Sequence, residues 1–340
     1  MRRKASIPDR GVWDAWLSSY WLPAVTAAAD CGVFAALDES ESSLEEVSDR
    51  LGLDRRALLA VARMLASLGF VALSADKLCA TDVSRAYLVG TSDFSMLPAI
   101  RLGLHRSLHD QLVAALRGDA AASAASRAKL PAEDWARGAI GADRAATVAA
   151  VMQAHSLPAA NALARSGLLT GVRHLLDAGG GSGCYSIALA EQYPELHATV
   201  LDLPAMCECA ARYIAKAGLQ SRIGVFSADM LRREWPIGYE AILLCNVLHD
   251  WSFETSADLV SRAFAALTSG GRILVHEMLL DDDGAGPPTT AAFSLMMLLA
   301  TWGQQFTREE LYSLFRQAGF RDFRTTPTHG YYSLVEARRP

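Results

Sequence analysis

The back half of the chain is what most constrains its fold. Apolar, β-rich runs at residues 172–178, 198–203, 223–226, 241–247 and 272–276 alternate there with amphipathic helical stretches. Such alternation requires right-handed crossovers and predicts a mostly parallel sheet with helices against its faces. The last two runs, 323–326 and 331–337, are separated only by Pro327-Thr328-His329-Gly330. A link that short makes a hairpin, so one strand near the edge must run antiparallel. The pattern defines an open, doubly wound α/β domain.

The front half reads as helical. Val12, Trp13, Trp16, Leu17, Tyr20, Trp21 and Val25 recur at helical spacing, and the chain turns at Cys31-Gly32. Ser43-Leu44-Glu45-Glu46 is a capping box opening a helix to Leu51, and Gly52 ends it. Asp54 then caps a second helix over 55–68, which Gly69 stops. Runs 70–73 and 78–80 form a small hairpin around Ala75-Asp76-Lys77. Helix, tight turn, helix and hairpin make a winged-helix-like layout. A DNA-reading helix would present a basic face to phosphate. Here Glu45, Glu46, Asp49 and Asp54 balance Arg50, Arg55, Arg56 and Arg63, and the wing adds only Asp76 and Lys77. The whole chain carries 32 Lys plus Arg against 37 Asp plus Glu, a formal charge of −5. No nucleic-acid partner is expected, and the segment reads as a dimerisation module that interlocks a homodimer through residues up to about Arg101.

Residues 99–166 are again helical in pattern, interrupted by the Ala/Ser-rich stretch 120–128, expected to be a loop or a frayed helix end. The expected organisation is therefore a dimerisation domain at 1–100, a helical linker and substrate cap at 101–165, and the α/β domain at 166–340. The longest nearly uninterrupted apolar run, 291–302, is shorter than the ~20 residues a membrane span needs. Met1-Arg2-Arg3-Lys4 is followed by Asp9, Arg10 and Asp14 where a secretory signal needs apolar residues. Cys31, Cys79, Cys184, Cys207, Cys209 and Cys245 form no CxxC pair. A reduced, cytoplasmic protein without a membrane partner is expected.

The sharpest local signal is Leu175-Leu176-Asp177-Ala178-Gly179-Gly180-Gly181-Ser182-Gly183, which leaves a strand and enters a helix. Glycines there let backbone amides approach a ligand at a helix N-terminus. The spacing is GxGxG, from Gly179, Gly181 and Gly183, where a nicotinamide enzyme would carry GxGxxG. Asp202 ends the second strand and could accept both hydroxyls of a ribose. Asp229-Met230 ends the third, where a carboxylate could take an adenine amino group while the thioether packs on the ring. Each acid alone is more often a strand-end or capping residue. Together, Asp177, Asp202 and Asp229 fall at successive carboxyl ends and line one crevice, where open α/β sheets bind ligands.

These motifs make the α/β half resemble a class I S-adenosylmethionine-dependent methyltransferase with a Rossmann-like sheet. The whole chain resembles the plant-type small-molecule O-methyltransferases, which are caffeate O-methyltransferase-like and have bacterial relatives in natural-product pathways. The resemblance is carried by LLDAGGGSG (175–183), LDLP (201–204), ADM (228–230), NVLHDW (246–251), GGRILVHEML (270–279) and TREELYSLFRQAGF (307–320). It implies a helical, dimer-forming N-terminal domain and S-adenosylmethionine as methyl donor, leaving S-adenosylhomocysteine. The residues expected to hold the cofactor are Asp177, Gly179, Gly181, Gly183, Asp202, Leu203, Asp229, Met230 and Asn246.

Methyl transfer from a sulfonium is an in-line displacement, so the protein chiefly aligns acceptor, methyl and sulfur. A phenolic acceptor must also lose its proton. With ordinary acidities of ~10 for a phenol and ~6.5 for His, full ground-state transfer is uphill by about 5 kcal/mol. A neutral His therefore acts late, as the O–CH3 bond forms, and supplies ~10²–10⁴-fold. His249, after the fourth strand, is the candidate. A lone histidine there would read as an ordinary strand-end residue, but its match to the family's LHDW element makes it the base. Glu277 ends the fifth strand, where a carboxylate can fix the imidazole tautomer and support its cation, and Asp250 orients substrate or loop. Plant members carry a second glutamate where this chain has Gln305, an amide that hydrogen-bonds but carries no charge. Cys245 replaces a lysine common near the adenine.

The pairs His249-Asp250 and His276-Glu277 could suggest a metal. Adjacent strand residues face opposite ways, so each pair supplies at most one inward ligand, and no metal is expected. The acceptor pocket is assigned to Met152 and His155 and to Phe293, Met296, Ala300 and Trp302. Ordinary core packing competes with that assignment and prevails for Met297. His105 and His109, four residues apart, are weaker pocket candidates. The expected activity is methylation of a phenolic hydroxyl on a small aromatic molecule. The alternatives are transfer to a ring carbon ortho to a phenol, to nitrogen, or a non-catalytic cofactor-binding protein.

Overall fold

Ser43 and Asp54 set two of the front-half helices. The computed structural model describes residues 8–74, 77–92, 95–97, 100, 106–127 and 132–340. In it Ser43 Oγ accepts the Glu46 N–H at 3.1 Å, and Glu46 Oε2 accepts the Ser43 N–H at 2.7 Å. This reciprocal cap opens the helix Leu44–Leu51, which Gly52 ends in the left-handed region. Asp54 Oδ1 accepts the Ala57 N–H at 2.8 Å and starts the helix Arg55–Ser67. Beside them β1 (Ser42–Ser43), β2 (Val71–Ser74) and β3 (Lys77–Ala80) form an antiparallel sheet in the order β1-β3-β2. The expected hairpin turn at Ala75-Asp76 and the candidate His105 lie outside the described residues.

These elements belong to one of two compact units, made of residues 11–130 and 280–307. The other unit combines 1–10, 131–279 and 308–340. This division departs from the linear one expected from the sequence. The helix Pro288–Ala300 groups with the front half, where Ala291, Ala292 and Leu295 are fully buried and Phe293 lies 5.6 Å from the Trp13 ring. Arg56 Nη2 holds the following turn by donating to Gly303 O at 2.5 Å. The stretch expected as one linker is likewise shared between units, with the helices Arg106–Leu116 and Ala120–Arg127 in the first. The Ala/Ser-rich stretch is thus helical, not a loop. Alanine has the highest intrinsic helix propensity, and Asp119 Oδ1 caps the run by accepting the Ala122 N–H at 2.9 Å.

The second unit is built on seven strands: β4 (His174–Ala178), β5 (His197–Asp202), β6 (Ile223–Ser227), β7 (Tyr239–Cys245), β8 (Leu267–Met278), β9 (Arg321–His329) and β10 (Tyr332–Arg338). Their order is β6-β5-β4-β7-β8-β10-β9. The first four pairings are parallel, and β10 runs antiparallel to both β8 and β9. Leu175, Leu176, Leu243 and Leu244 are wholly buried, as strands covered on both faces require. The chain steps outward from β4 to β5 and β6, then returns to β7 on the other side. That reversal opens a crevice at the carboxyl ends of β4 and β7. Strand β8 begins earlier than the apolar run suggests, because Gly270 at φ +77° carries the pairing through the Gly-Gly step, donating its N–H to Arg339 O at 2.9 Å.

Alternation along β8 separates its two conspicuous polar residues. Thr328 Oγ1 donates to Tyr332 O at 3.1 Å, so it accepts from His276 Nε2 at 2.7 Å, and Nδ1 accepts the Tyr185 hydroxyl at 3.0 Å. Burial drives the His276 pKa down to about 3, keeping the ring neutral in this network. Glu277 faces the other side, where its carboxylate meets the main chain that follows β7.

Candidate active site

The glycine loop folds as it does because side chains there would collide with its neighbours. Gly179 and Gly181 have φ of +71° and +57°. A Cβ on Gly179 would lie 2.9 Å from Val247 Cγ2, and one on Gly181 would lie 3.0 Å from Met152 Sδ. Gly183, also left-handed, caps the helix Cys184–Gln192. The loop is tied down by its neighbours: Gly181 N donates to Asp202 Oδ2 at 2.9 Å, and Ser182 Oγ donates to Gln153 Oε1 at 2.8 Å.

Asp202 Oδ1 in turn accepts the Leu203 N–H at 2.7 Å. Each carboxylate oxygen therefore accepts one amide and keeps acceptor capacity for a ligand hydroxyl. Burial raises its pKa to about 6, partly offset by those two amides. Asp177 is more deeply enclosed than Asp202. It is buried behind the loop, accepts from Ser186 Oγ at 2.7 Å, and is raised to about 6 by burial. Asp229 is also more engaged than expected, since Oδ1 accepts the Leu231 N–H at 2.9 Å and Oδ2 pairs with Arg232.

Gly179, Asp202 and Asp229 line one cleft at this sheet edge. Its walls include Met152, Gly179, Asp202, Leu203, Asp229, Met230, Asn246 and Asp250, all candidates from the sequence. Asp177, Gly181, Gly183, His155, His249 and Glu277 are not among the lining residues. His155 is buried enough that its pKa falls to about 4, and its Nδ1 is 3.2 Å from Ser156 Oγ. Trp135, Met206, Ala228, Leu231, Val247 and Trp251 also line the cleft without being sequence candidates. Met206 was findable, since it lies in the first turn of the helix Pro204–Ala217 that follows Asp202. Trp251 belongs to the LHDW element. Trp135 sits in Ala132–Arg137, a helix with no motif to mark it.

His249 lies in a short 3-10 turn, Leu248–Asp250, and not on the strand itself. It is 4% exposed, with Nε2 3.8 Å from Asp250 Oδ1. Asn246, at φ +52°, makes the bend that leads into this turn, a conformation asparagine tolerates better than most residues. Glu277 Oε1 accepts the N–H groups of Val247, Leu248 and His249 at 3.2, 2.9 and 3.4 Å. The sequence pattern directs this carboxylate to the imidazole. Its hold on the main chain of the turn has no sequence signal. Burial raises Glu277 to about 7 against the lowering effect of the three amides, and burial followed by the nearby Glu277 charge pushes Asp250 well up.

Phe293, Met296, Ala300, Trp302 and Gln305 belong to the other unit. There Phe293 and Ala300 are buried, Met296 and Trp302 are half-buried, and Gln305 donates its N–H to Ser294 Oγ at 3.1 Å. Met297, 6% exposed, is core as expected. His109 is buried between Thr26 Oγ1 (2.9 Å) and Asp30 Oδ2 (3.2 Å). Among the described residues no cluster of His, Cys, Asp or Glu could hold a metal ion, and no helix is long and apolar enough to cross a membrane.

The cleft fits a nucleoside cofactor on the structure's own terms. A side-chain-free cradle, a half-buried carboxylate with spare acceptor capacity and an apolar wall at Met230 and Leu231 meet at the switch point. Fold and cleft together define a class I S-adenosylmethionine-dependent methyltransferase. Residues 134–321 match the O-methyltransferase domain family, and the chain belongs to it. It is 33% identical over 305 residues to the 3-hydroxy-5-methyl-1-naphthoate 3-O-methyltransferase of Streptomyces sahachiroi, covering 88% of this chain and 86% of the relative. The N,N-dimethyltransferase OxyT of Streptomyces rimosus is 29% identical over 262 residues, 76% of this chain and 75% of its own. The crystal structure of an O-methyltransferase family 2 protein from Planctomyces limnophilus, in complex with apigenin, matches with a TM-score of 0.87 at 27% identity, covering 98% of this chain and 97% of that one.

Proposed function

We propose that this methyltransferase moves its methyl group to a phenolic hydroxyl of a small aromatic natural-product precursor, with His249 as the general base. The observation that carries the reading is the turn Leu248–Asp250, pinned by Glu277 beside the glycine cradle. The cofactor supplies a methyl carried on a positively charged sulfur. Gly179, Asp202 and Met230 would hold its nucleoside, and Asp250 would orient the acceptor. His249 would take the phenolic proton as the acceptor oxygen receives the methyl group. The products are the aryl methyl ether, S-adenosylhomocysteine and an imidazolium that returns its proton to water. Glu277 supports that step by fixing the main chain from which the imidazole projects, and its charge favours the cation. Asp177, Gly181 and Gly183 stand off the cleft wall and serve the cradle from behind.

The roles of Met152, His155, Phe293, Met296, Ala300 and Trp302 toward the acceptor, and of Gln305 in catalysis, rest on the family resemblance. The names of the naphthoate enzyme and of the apigenin complex support a flat phenolic acceptor. Turnover with [¹³C-methyl]-labelled cofactor and a panel of phenolic acids, catechols and flavonoids tests the reading. An aryl methyl ether resonance in the product is expected. A methyl bonded to ring carbon or to nitrogen would replace the acceptor assignment, and the neutral Gln305 and the name of OxyT make those two outcomes worth resolving.

The exposed Val12, Trp16, Val83, Tyr87 and Met96 in the unit of residues 11–130 support a homodimer formed through that winged-helix-like segment. Sedimentation at micromolar concentration should give twice the chain mass, and a monomer would refute it. The six cysteines are all free thiols, which supports a cytoplasmic location.

A further inference from the structure

We propose that Arg232 is a positioning residue, a clasp that holds the helix Ala132–Arg137 over the cleft so that Trp135 and Asp229 meet the cofactor as one preformed wall. The inference rests on the cofactor assignment above. Arg232 Nη1 pairs with Asp229 Oδ2, while Nη2 of the same guanidinium donates to Ala136 O at 2.5 Å. One side chain thus joins the end of β6 to a helix 96 residues earlier in the chain. The second oxygen of Asp229 is fixed as well, by the Leu231 N–H. The carboxylate cannot swing without breaking both bonds.

Gly138 shows how closely the helix end is fitted to this pair. It turns the chain at φ +74°, with its N–H on Trp135 O at 3.0 Å. A Cβ there would run into Asp229 Oδ2 and Arg232 Nη1. Trp135 stands three residues before, lining the cleft together with Asp229, Met230 and Leu231. Its body packs against a small cluster that includes Ala149, Leu203 and Met206. Trp135 is therefore anchored by packing on one side and by the Arg232 clasp on the other. A planar guanidinium can bridge a carboxylate and a carbonyl at once, which a lysine ammonium at the same site does poorly. The Arg232 side chain is 56% exposed, so truncating it leaves no buried hole.

A wall closed before the cofactor arrives lowers the ordering that binding requires. Arg232→Ala, Arg232→Lys and Gly138→Ala test this with two readouts. The first is calorimetric titration of S-adenosylhomocysteine, and the second is amide hydrogen exchange over residues 132–141 in cofactor-free protein. In Arg232→Ala the Kd rises about five- to tenfold, the loss expected for a charge-assisted pair that is partly screened by solvent. The KM for S-adenosylmethionine rises in step, with kcat within twofold. Exchange over 132–141 quickens in all three variants, in Arg232→Lys because the lysine keeps the charge opposite Asp229 and loses the carbonyl. An unchanged Kd in Arg232→Ala, or unchanged exchange over 132–141, overturns the clasp. Exchange is read without any ligand, so a wild-type protein that failed to bind S-adenosylhomocysteine would count against the cofactor assignment and leave the clasp still decided by exchange.

Discussion

At the scale of single residues, His249 and Asp177 illustrate opposite uses of a buried polar group. In the proposed mechanism His249 takes the acceptor's proton, so its removal should be felt in chemistry more than in binding. His249→Ala is expected to lower kcat with a phenol by ~10²-fold or more while the Kd for S-adenosylhomocysteine stays within twofold. Equal turnover in variant and wild type would remove the base. Asp177 is buried, with Oδ1 lacking a hydrogen-bond partner among the described residues. Burial raises its pKa from 3.8 to about 6, so the folded chain holds this proton more tightly than the unfolded chain does. Ionised Asp177 therefore destabilises the fold at neutral pH, by at most about 3 kcal/mol. The penalty is complete above pH 6 and fades as pH falls toward 4. Asp177→Asn should accordingly raise the Tm of cofactor-free protein at about pH 7.5, with the difference shrinking near about pH 4.5. A variant that melts lower at the neutral end, or a difference independent of pH, would contradict this assignment.

At the scale of elements, the turns matter more than the strands. Gly179→Ala places a methyl group against Val247 at a positive φ, so the cradle must shift. Titration should show S-adenosylhomocysteine binding weakened by at least ~10-fold, corresponding to ~1.4 kcal/mol or more. Binding within twofold of wild type would mean that the loop does not form the cradle. The strands β4, β5 and β7 were legible because double-sided burial writes continuous apolar runs, and the caps at Ser43 and Asp54 because their chemistry is local. The 3-10 turn carrying His249 was not legible. Asn246 bends the chain there, and Glu277, paired through β8, gathers the three amides beyond it. That carboxylate's role depends on strand neighbours 30 residues apart in sequence. Trp135 was missed for a similar reason: only the folded chain brings it beside Met230.

For the whole molecule, the sequence suggested domains laid end to end, and the contacts group them otherwise. The helix Pro288–Ala300 falls within the expected α/β domain of residues 166–340, but its largely apolar surface is buried in the unit of residues 11–130 and 280–307. Apolar periodicity announces that a helix is buried and does not name the partner that buries it. The function was more legible than this organisation, because GxGxG, Asp202, Asp229 and His249 all fall at one sheet edge. A crystal structure of the protein grown with S-adenosylhomocysteine tests that convergence most directly. The nucleoside is expected against Gly179, Asp202 and Met230, with the sulfur directed toward the side of the cleft where His249 lies. A ligand bound elsewhere, or a sulfur turned away from the Leu248–Asp250 turn, would contradict it.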